Sequence, residues 1–253
     1  MANPFSIEGK RFFITGGTRG IGRAISLRFA RAGASVFANY VRDEKSALQL
    51  KGEAEAEGLS LELCRADITS PKGLQRVKEV IDREGTAFDG MIHCAATGVH
   101  KPIEELTPRH FEWTFSLNVA SFLEIFKLLR TRLTGGSTVV AISSMGAVFA
   151  VPNYALIGSS KASLESIARS MAAEYANQGI RINVIRPGSV LTDVWKVIPD
   201  GEARLNETRS RTPLGRLVTS DEVACAAQFL CSQASSGMIG HTLVIDGGKS
   251  IIE

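Results

Sequence analysis

The chain has 253 residues, 44% of them hydrophobic and 22% charged, so it can bury a substantial core and does not have the composition of a disordered polymer. A net charge of +3 is too small to argue for nucleic acid. Its cysteines (Cys64, Cys94, Cys225, Cys231) and histidines (His93, His100, His110, His241) lack redox or zinc spacing, which argues against a metal site. No apolar leader follows Met1 and no run of about eighteen apolar residues occurs, so a soluble cytoplasmic protein is expected.

Short apolar runs alternate with longer amphipathic ones along the whole chain. The expected strands are Arg11–Thr15, Ser35–Asn39, Ser60–Cys64, Phe88–Cys94, Thr138–Ser143, Ile180–Arg186 and His241–Ile245. Helical patterns fall between them, near 20–32, 43–58, 71–85, 108–133, 153–177 and 220–233. This alternation predicts right-handed βαβ units: an α/β fold, a parallel sheet covered on both faces, in one domain spanning 1–253. The longest irregular stretch, about 192–217, holds Pro199, Gly201, Pro213 and Gly215 and is expected to form a substrate lid.

Between the first strand and the first helix stands Thr15-Gly16-Gly17-Thr18-Arg19-Gly20-Ile21-Gly22. Gly16 permits a tight turn, Gly20 lets the backbone approach a pyrophosphate, and Gly22 lets the helix pack closely. The helix N-terminus offers free N–H groups and a positive dipole end to the anion. No acid stands at the tip of the second strand, where an NAD-preferring enzyme holds the ribose 2′-hydroxyl. Arg19 and Arg42 flank that place and suit a 2′-phosphate, which predicts NADPH.

Tyr154 and Lys161 lie seven residues apart in one helical pattern. At about 100° per residue they differ by only about 20° around the axis and stand about 10.5 Å apart along it. A phenol and an ammonium on one face can act as an acid and its electrostatic partner. Of the other tyrosines, Tyr175 lies about 21 Å past Lys161 along the same helix and Tyr40 stands at the tip of the second strand, so Tyr154 is the one expected to work with Lys161.

The TGxxxGIG loop, Asp67 after the third strand, the Asn118-Val119 pair and the Tyr/Lys helix together resemble the short-chain dehydrogenase/reductase family, over nearly the whole chain to Ile245-Asp246-Gly247-Gly248. The resemblance implies a Rossmann-type, doubly wound, seven-stranded parallel sheet and a homotetramer. It places Asp67 and Ile68 at the adenine, Ala95 at the adenosine ribose, and Pro187, Gly188, Val190 and Thr192 along the nicotinamide. Lys161 is implied to hold the nicotinamide ribose and lower the phenol pKa. Ser144 falls at the family's catalytic serine, where it either touches substrate or only satisfies the strand end. Asn118 is expected to bend its helix and hold a water near Lys161.

Two departures stand out. The family's Asn-Asn-Ala-Gly run reads His93-Cys94-Ala95-Ala96, losing two amide side chains. Its Tyr-x-x-x-Lys reads Ile157-x-x-x-Lys161, with Tyr154 a turn earlier. That stretched spacing is similar to that of bacterial enoyl-acyl-carrier-protein reductases. With an ordinary glycine loop, it resembles their NADPH-dependent type III. Enoyl reduction puts hydride on the β-carbon of a conjugated thioester and negative charge on the more distant thioester oxygen. The donor must sit where that charge develops. Moving the tyrosine three residues shifts its Cα by about 4.5 Å.

Val194, Trp195, Val197, Ile198 and Leu205 are expected to form an apolar acyl slot. Lys196, Arg204, Arg209, Arg211 and Arg216 would form a basic rim for an acidic acyl carrier protein. The competing readings are a carbonyl or ketoacyl reductase, an enoyl-CoA reductase of secondary metabolism, and a regulator that senses NADPH without turnover.

Overall fold

The computed structural model describes residues 3–191 and 201–252. Seven strands, β1 (Arg11–Thr15), β2 (Ser35–Tyr40), β3 (Leu61–Arg65), β4 (Phe88–His93), β5 (Leu133–Ile142), β6 (Arg181–Pro187) and β7 (Thr242–Ile245), form one parallel sheet in the order 3-2-1-4-5-6-7. The helices are α1 (Gly20–Arg31), α2 (Glu44–Ala56), α3 (Pro71–Glu84), α4 (Pro108–Phe115), α5 (Ser121–Arg130), α6 (Ala155–Tyr175), α7 (Gly201–Ser210) and α8 (Ser220–Cys231). Among the described residues no helix is long and apolar enough to cross a membrane.

Successive strand residues point to opposite faces, and both faces of the central strands are covered, so the middle of the sheet is largely apolar on both sides. On β1, Phe12 and Ile14 enter a core shared with α1 and α8. Phe13 enters a second core with α3, α5 and α6. Local signals set the helix ends. Ser70 accepts from the Gly73 N–H at 3.0 Å ahead of Pro71, and α3 stops at Gly85 with φ 63°. Thr219 and Glu222 cap each other's backbone at the start of α8. The strand order reverses between β1 and β4, which opens a crevice at their carboxyl ends.

Three expectations need correcting. The pattern over 108–133 is not one helix: a π-helical stretch, Ser116–Ala120, separates α4 from α5. Asn118, buried in that stretch, is drawn aside by hydrogen bonds to both backbone groups of Thr97. β5 starts at Leu133 rather than Thr138; Gly135 and Gly136 within it had the look of a turn. The stretch over 192–217 is not all irregular, since it contains α7. That helix carries only Ala203 and Leu205 as large or small apolar side chains, too few to mark a buried stripe.

Candidate active site

A groove follows the carboxyl ends of β1, β2 and β4. Gly16, Thr18, Arg19, Gly20, Ile21, Arg42, Asp67, Ile68 and Ala95 all line it, and Trp113 and Leu205 border its far side. Its floor is a close approach of backbone to backbone. A Cβ on Gly16 (φ 63°) would stand 2.9 Å from the Ala95 Cα, and one on Gly22 would stand 2.1 Å from the Gly16 carbonyl oxygen. The N-terminus of α1 has no side-chain cap and no acid in its first turn. Its N–H groups are therefore available to an anion, so the loop fits a pyrophosphate.

At the β2 tip, Asn39 stands where an acid would select NAD. Its Nδ2 donates to the carbonyls of Cys64 (3.1 Å) and Ala66 (2.9 Å), binding β2 to β3. Arg19 reaches Asp43 at 3.4 Å, and Asp43 in turn caps α2 through Ser46. Arg42 is exposed and forms no ion pair among the described residues. The Asp67 carboxylate accepts from the N–H and hydroxyl of Thr69. The Ile68 side chain is 1% exposed and belongs to the core, so only its backbone can serve a ligand.

The Thr15 hydroxyl joins the tips of β1 and β4. It accepts from the N–H groups of Cys94 and Ala95, both at 3.1 Å, which fills its lone pairs. It must then donate to His93 Nδ1, 3.0 Å away, and the imidazole carries its proton on Nε2. His93 is fully buried against Phe122, and Nε2 has no hydrogen-bond partner among the described residues. Burial first, and the charge on Lys161 second, push the imidazole down to about 3. The family's amides at this corner are thus replaced by a neutral histidine and a thiol.

Tyr154 does not lie inside the helix. It is the residue before α6, with φ −122° and ψ 12°, so the face geometry expected for Tyr154 and Lys161 does not describe it. Its ring packs over Gly146, where an added Cβ would come within 2.6 Å, and beside the His100 ring at 5.3 Å. The phenol donates to Ser144 Oγ at 3.2 Å. Burial raises the phenol pKa, with Ser144 opposing; Lys161 does not lower it here. Lys161, 4% exposed, instead donates to the Ile142 carbonyl at 2.8 Å. Burial pushes its ammonium down to about 8, against the pull of Cys94 and Glu165. Cys94 is itself pushed up to about 11 by burial, so near neutral pH the anion beside Lys161 is Glu165.

Ile157, one turn before Lys161, is buried, and its side chain fills the space over Gly98. Asn118 spends its amide on Thr97 and on Ser160 Oγ at 2.9 Å. Ser144, Tyr154 and Lys161 gather at the β5 end but are not on the groove wall, which reaches Thr97, Leu117 and Leu191. Gly188 packs against Asp246, and the Val190 side chain lies in the core rather than facing the groove. Thr192, Val194, Trp195, Lys196, Val197 and Ile198 lie outside the described residues, as does the Arg204 side chain. Of the basic rim, Arg211 pairs with Glu207 at 3.5 Å and Arg216 with Glu222 at 2.8 Å, which leaves less free charge than the sequence suggested.

Sequence reasoning missed Glu165, Arg186 and Ser143. Arg186 donates to both carboxylate oxygens of Glu165, at 2.9 and 2.5 Å, and Ser143 Oγ donates to one at 2.5 Å. The available signal was an arginine inside an apolar strand, which requires a buried partner.

The sequence matches the family described as Enoyl-(Acyl carrier protein) reductase over residues 16–250, and the chain belongs to the short-chain dehydrogenase/reductase family of oxidoreductases. It is 32% identical over 241 residues to the 1-cyclohexenylcarbonyl-CoA reductase of Streptomyces collinus, covering 94% of this chain and 86% of that protein. Its fold superposes on a 7α-hydroxysteroid dehydrogenase complexed with NADH and 7-oxo glycochenodeoxycholic acid at a TM-score of 0.91, with 33% identity and 98% of both chains covered. A gluconate 5-dehydrogenase from Burkholderia cenocepacia J2315 in complex with NADP and tartrate gives a TM-score of 0.90 at 26% identity, covering 99% of this chain and 98% of that one.

Proposed function

We propose that the protein reduces the trans-2 double bond of an enoyl thioester with NADPH. The observation that carries this reading is the pair of facts at the head of α6. The position one turn before Lys161 holds a buried isoleucine, while the only tyrosine hydroxyl beside Ser144 is that of Tyr154. The glycine loop, Asp67 and the Ile68 and Ala95 backbone would hold the dinucleotide, with Arg19 and Arg42 at the 2′-phosphate. Bound NADPH supplies the hydride.

Tyr154 would turn its one proton from Ser144 to the thioester oxygen as negative charge grows there, while the Ser144 hydroxyl donates back to the phenol oxygen and holds it in place; the α-carbon then takes its proton from solvent. Lys161, charged below about pH 8, would serve the nicotinamide ribose rather than the phenol, whose pKa it does not lower. The relative named for a 1-cyclohexenylcarbonyl-CoA substrate supports a conjugated thioester. The family description, Enoyl-(Acyl carrier protein) reductase, supports an acyl group carried on an acyl carrier protein, while the pairing of Arg211 and Arg216 leaves the basic rim little to add. The lid expected over 192–217 is supported only in its described part, 201–217, where Leu205 borders the groove. The cytoplasm is the expected location; a homotetramer is the expected assembly, a reading supported by exposed Phe111 on α4 and Ile251 near the C-terminus.

A second reading, ketone reduction, is favoured by the Tyr154–Ser144 bond, because two hydroxyls can converge on one carbonyl oxygen. Parallel assays of NADPH oxidation with a trans-2-enoyl and a β-ketoacyl thioester separate the two. Turnover of the ketone alone would reject the enoyl assignment.

A further inference from the structure

Glu165 sits on α6 one turn beyond Lys161, 3% exposed and away from the groove wall. Its carboxylate takes two hydrogen bonds from Arg186 on β6 and one from Ser143 at the end of β5. Ser143 stands between two residues of the site. On one side, the Ile142 carbonyl takes the Lys161 ammonium. On the other, the Ser144 hydroxyl takes the Tyr154 phenol. The Ser143 N–H also donates to the Ile185 carbonyl at 2.7 Å, locking β5 to β6 beside Arg186. Arg186 directly precedes Pro187 and Gly188. One carboxylate therefore fastens α6, the β5 end and the β6 end at the point where all three deliver their residues to the site.

Well-packed apolar residues often match a buried ion pair in stability, so stability alone does not account for a charge pair at this junction. The charges around Lys161 point the same way. From the β4 end it meets Cys94 and His93, both neutral near pH 7. From β5 it meets the Ile142 carbonyl. From its own helix it meets Glu165, whose other side is covered by the Arg186 cation of β6.

We propose that Glu165, held by Arg186 and Ser143, is a positioning residue that fixes where Lys161 and Tyr154 stand and keeps Lys161 charged. This rests on the reading that Lys161 and Tyr154 carry the reaction. It needs no bond made or broken at Glu165 itself.

The test combines two readouts on wild type, Glu165→Gln, Glu165→Asp and Ser143→Ala. One is the titration of Lys161, followed by 13C NMR of its Cε in lysine-labelled protein. The other is kcat and KM for NADPH and a trans-2-octenoyl thioester. In Glu165→Gln the Lys161 midpoint should fall by at least about half a pH unit, because the ammonium loses the carboxylate that stabilises its charged form. The alkaline limb of kcat should move down with it, and kcat should drop about tenfold with KM changed far less. Glu165→Asp should restore the midpoint. Ser143→Ala, which keeps the ion pair, should hold the midpoint while lowering kcat about threefold or more.

A purely structural role would lower the melting temperature without moving the titration. An unchanged midpoint together with wild-type kcat in Glu165→Gln overturns the proposal. If that variant does not fold, wild-type kcat in Ser143→Ala overturns it. A wild-type protein that leaves the enoyl thioester untouched rejects the enoyl reading, and the Lys161 titration then decides the role of Glu165 alone.

Discussion

His93 should make the fold acid-sensitive in a range where carboxylates are still ionised. Its imidazole is held near pKa 3 in the folded protein, against 6.5 for the unperturbed group. Between those values the unfolded chain binds a proton that the folded chain does not. Stability therefore rises with pH through this window and is lost as pH falls below about 6.5. The slope is at most about 1.4 kcal/mol per pH unit, so at about pH 5 the loss attributable to His93 is about 2 kcal/mol. Charging the ring would also require Nδ1 to donate, which removes the bond it accepts from Thr15 and makes it compete with the Cys94 and Ala95 N–H groups for the Thr15 oxygen. His93→Asn, the residue type its family carries here, removes the titrating group while retaining an acceptor for Thr15. Urea unfolding at about pH 7.5 and about pH 5, at one protein concentration, should show wild type losing about 2 kcal/mol more than the variant. Equal losses in the two proteins would refute the buried, neutral assignment of His93.

Three further outcomes are expected. Tyr154→Phe removes one neutral hydrogen bond to Ser144, so it should cost about 1 kcal/mol of stability and leave NADPH affinity intact. Enoyl turnover should fall at least about tenfold, measured by NADPH oxidation; activity near wild type would mean another group donates to the oxygen. Gly22→Ala puts a methyl 2.1 Å from a backbone oxygen that cannot swing away, so NADPH titration by fluorescence should show binding weakened at least about tenfold, with a lower melting temperature. Arg42→Glu should reduce the preference for NADPH over NADH at least about tenfold in kcat/KM, and an unchanged ratio would remove Arg42 from the 2′-phosphate site.

Much of this protein was legible from residue order because the signals were local. The glycine loop and the apolar strands act within a few positions of themselves, so β1, α1 and a seven-stranded parallel sheet followed from pattern and family resemblance, while the strand order came from the tertiary structure. The replacement of the usual tyrosine by Ile157, and the presence of Tyr154 a turn earlier, could be read directly. The sequence could not show what those side chains touch. Helical spacing put Tyr154 and Lys161 on one face, whereas chain entry at the α6 cap turned the phenol to Ser144 and the ammonium to Ile142. The π-helical break at Asn118 depends on Thr97, distant in the chain. Glu165 and Arg186, 21 positions apart, looked like isolated charges in apolar stretches until the sheet brought them together. Hydrogen bonds and burial act through space, so the identities of the site residues were written in order along the chain, while their protonation and partners were decided only by packing.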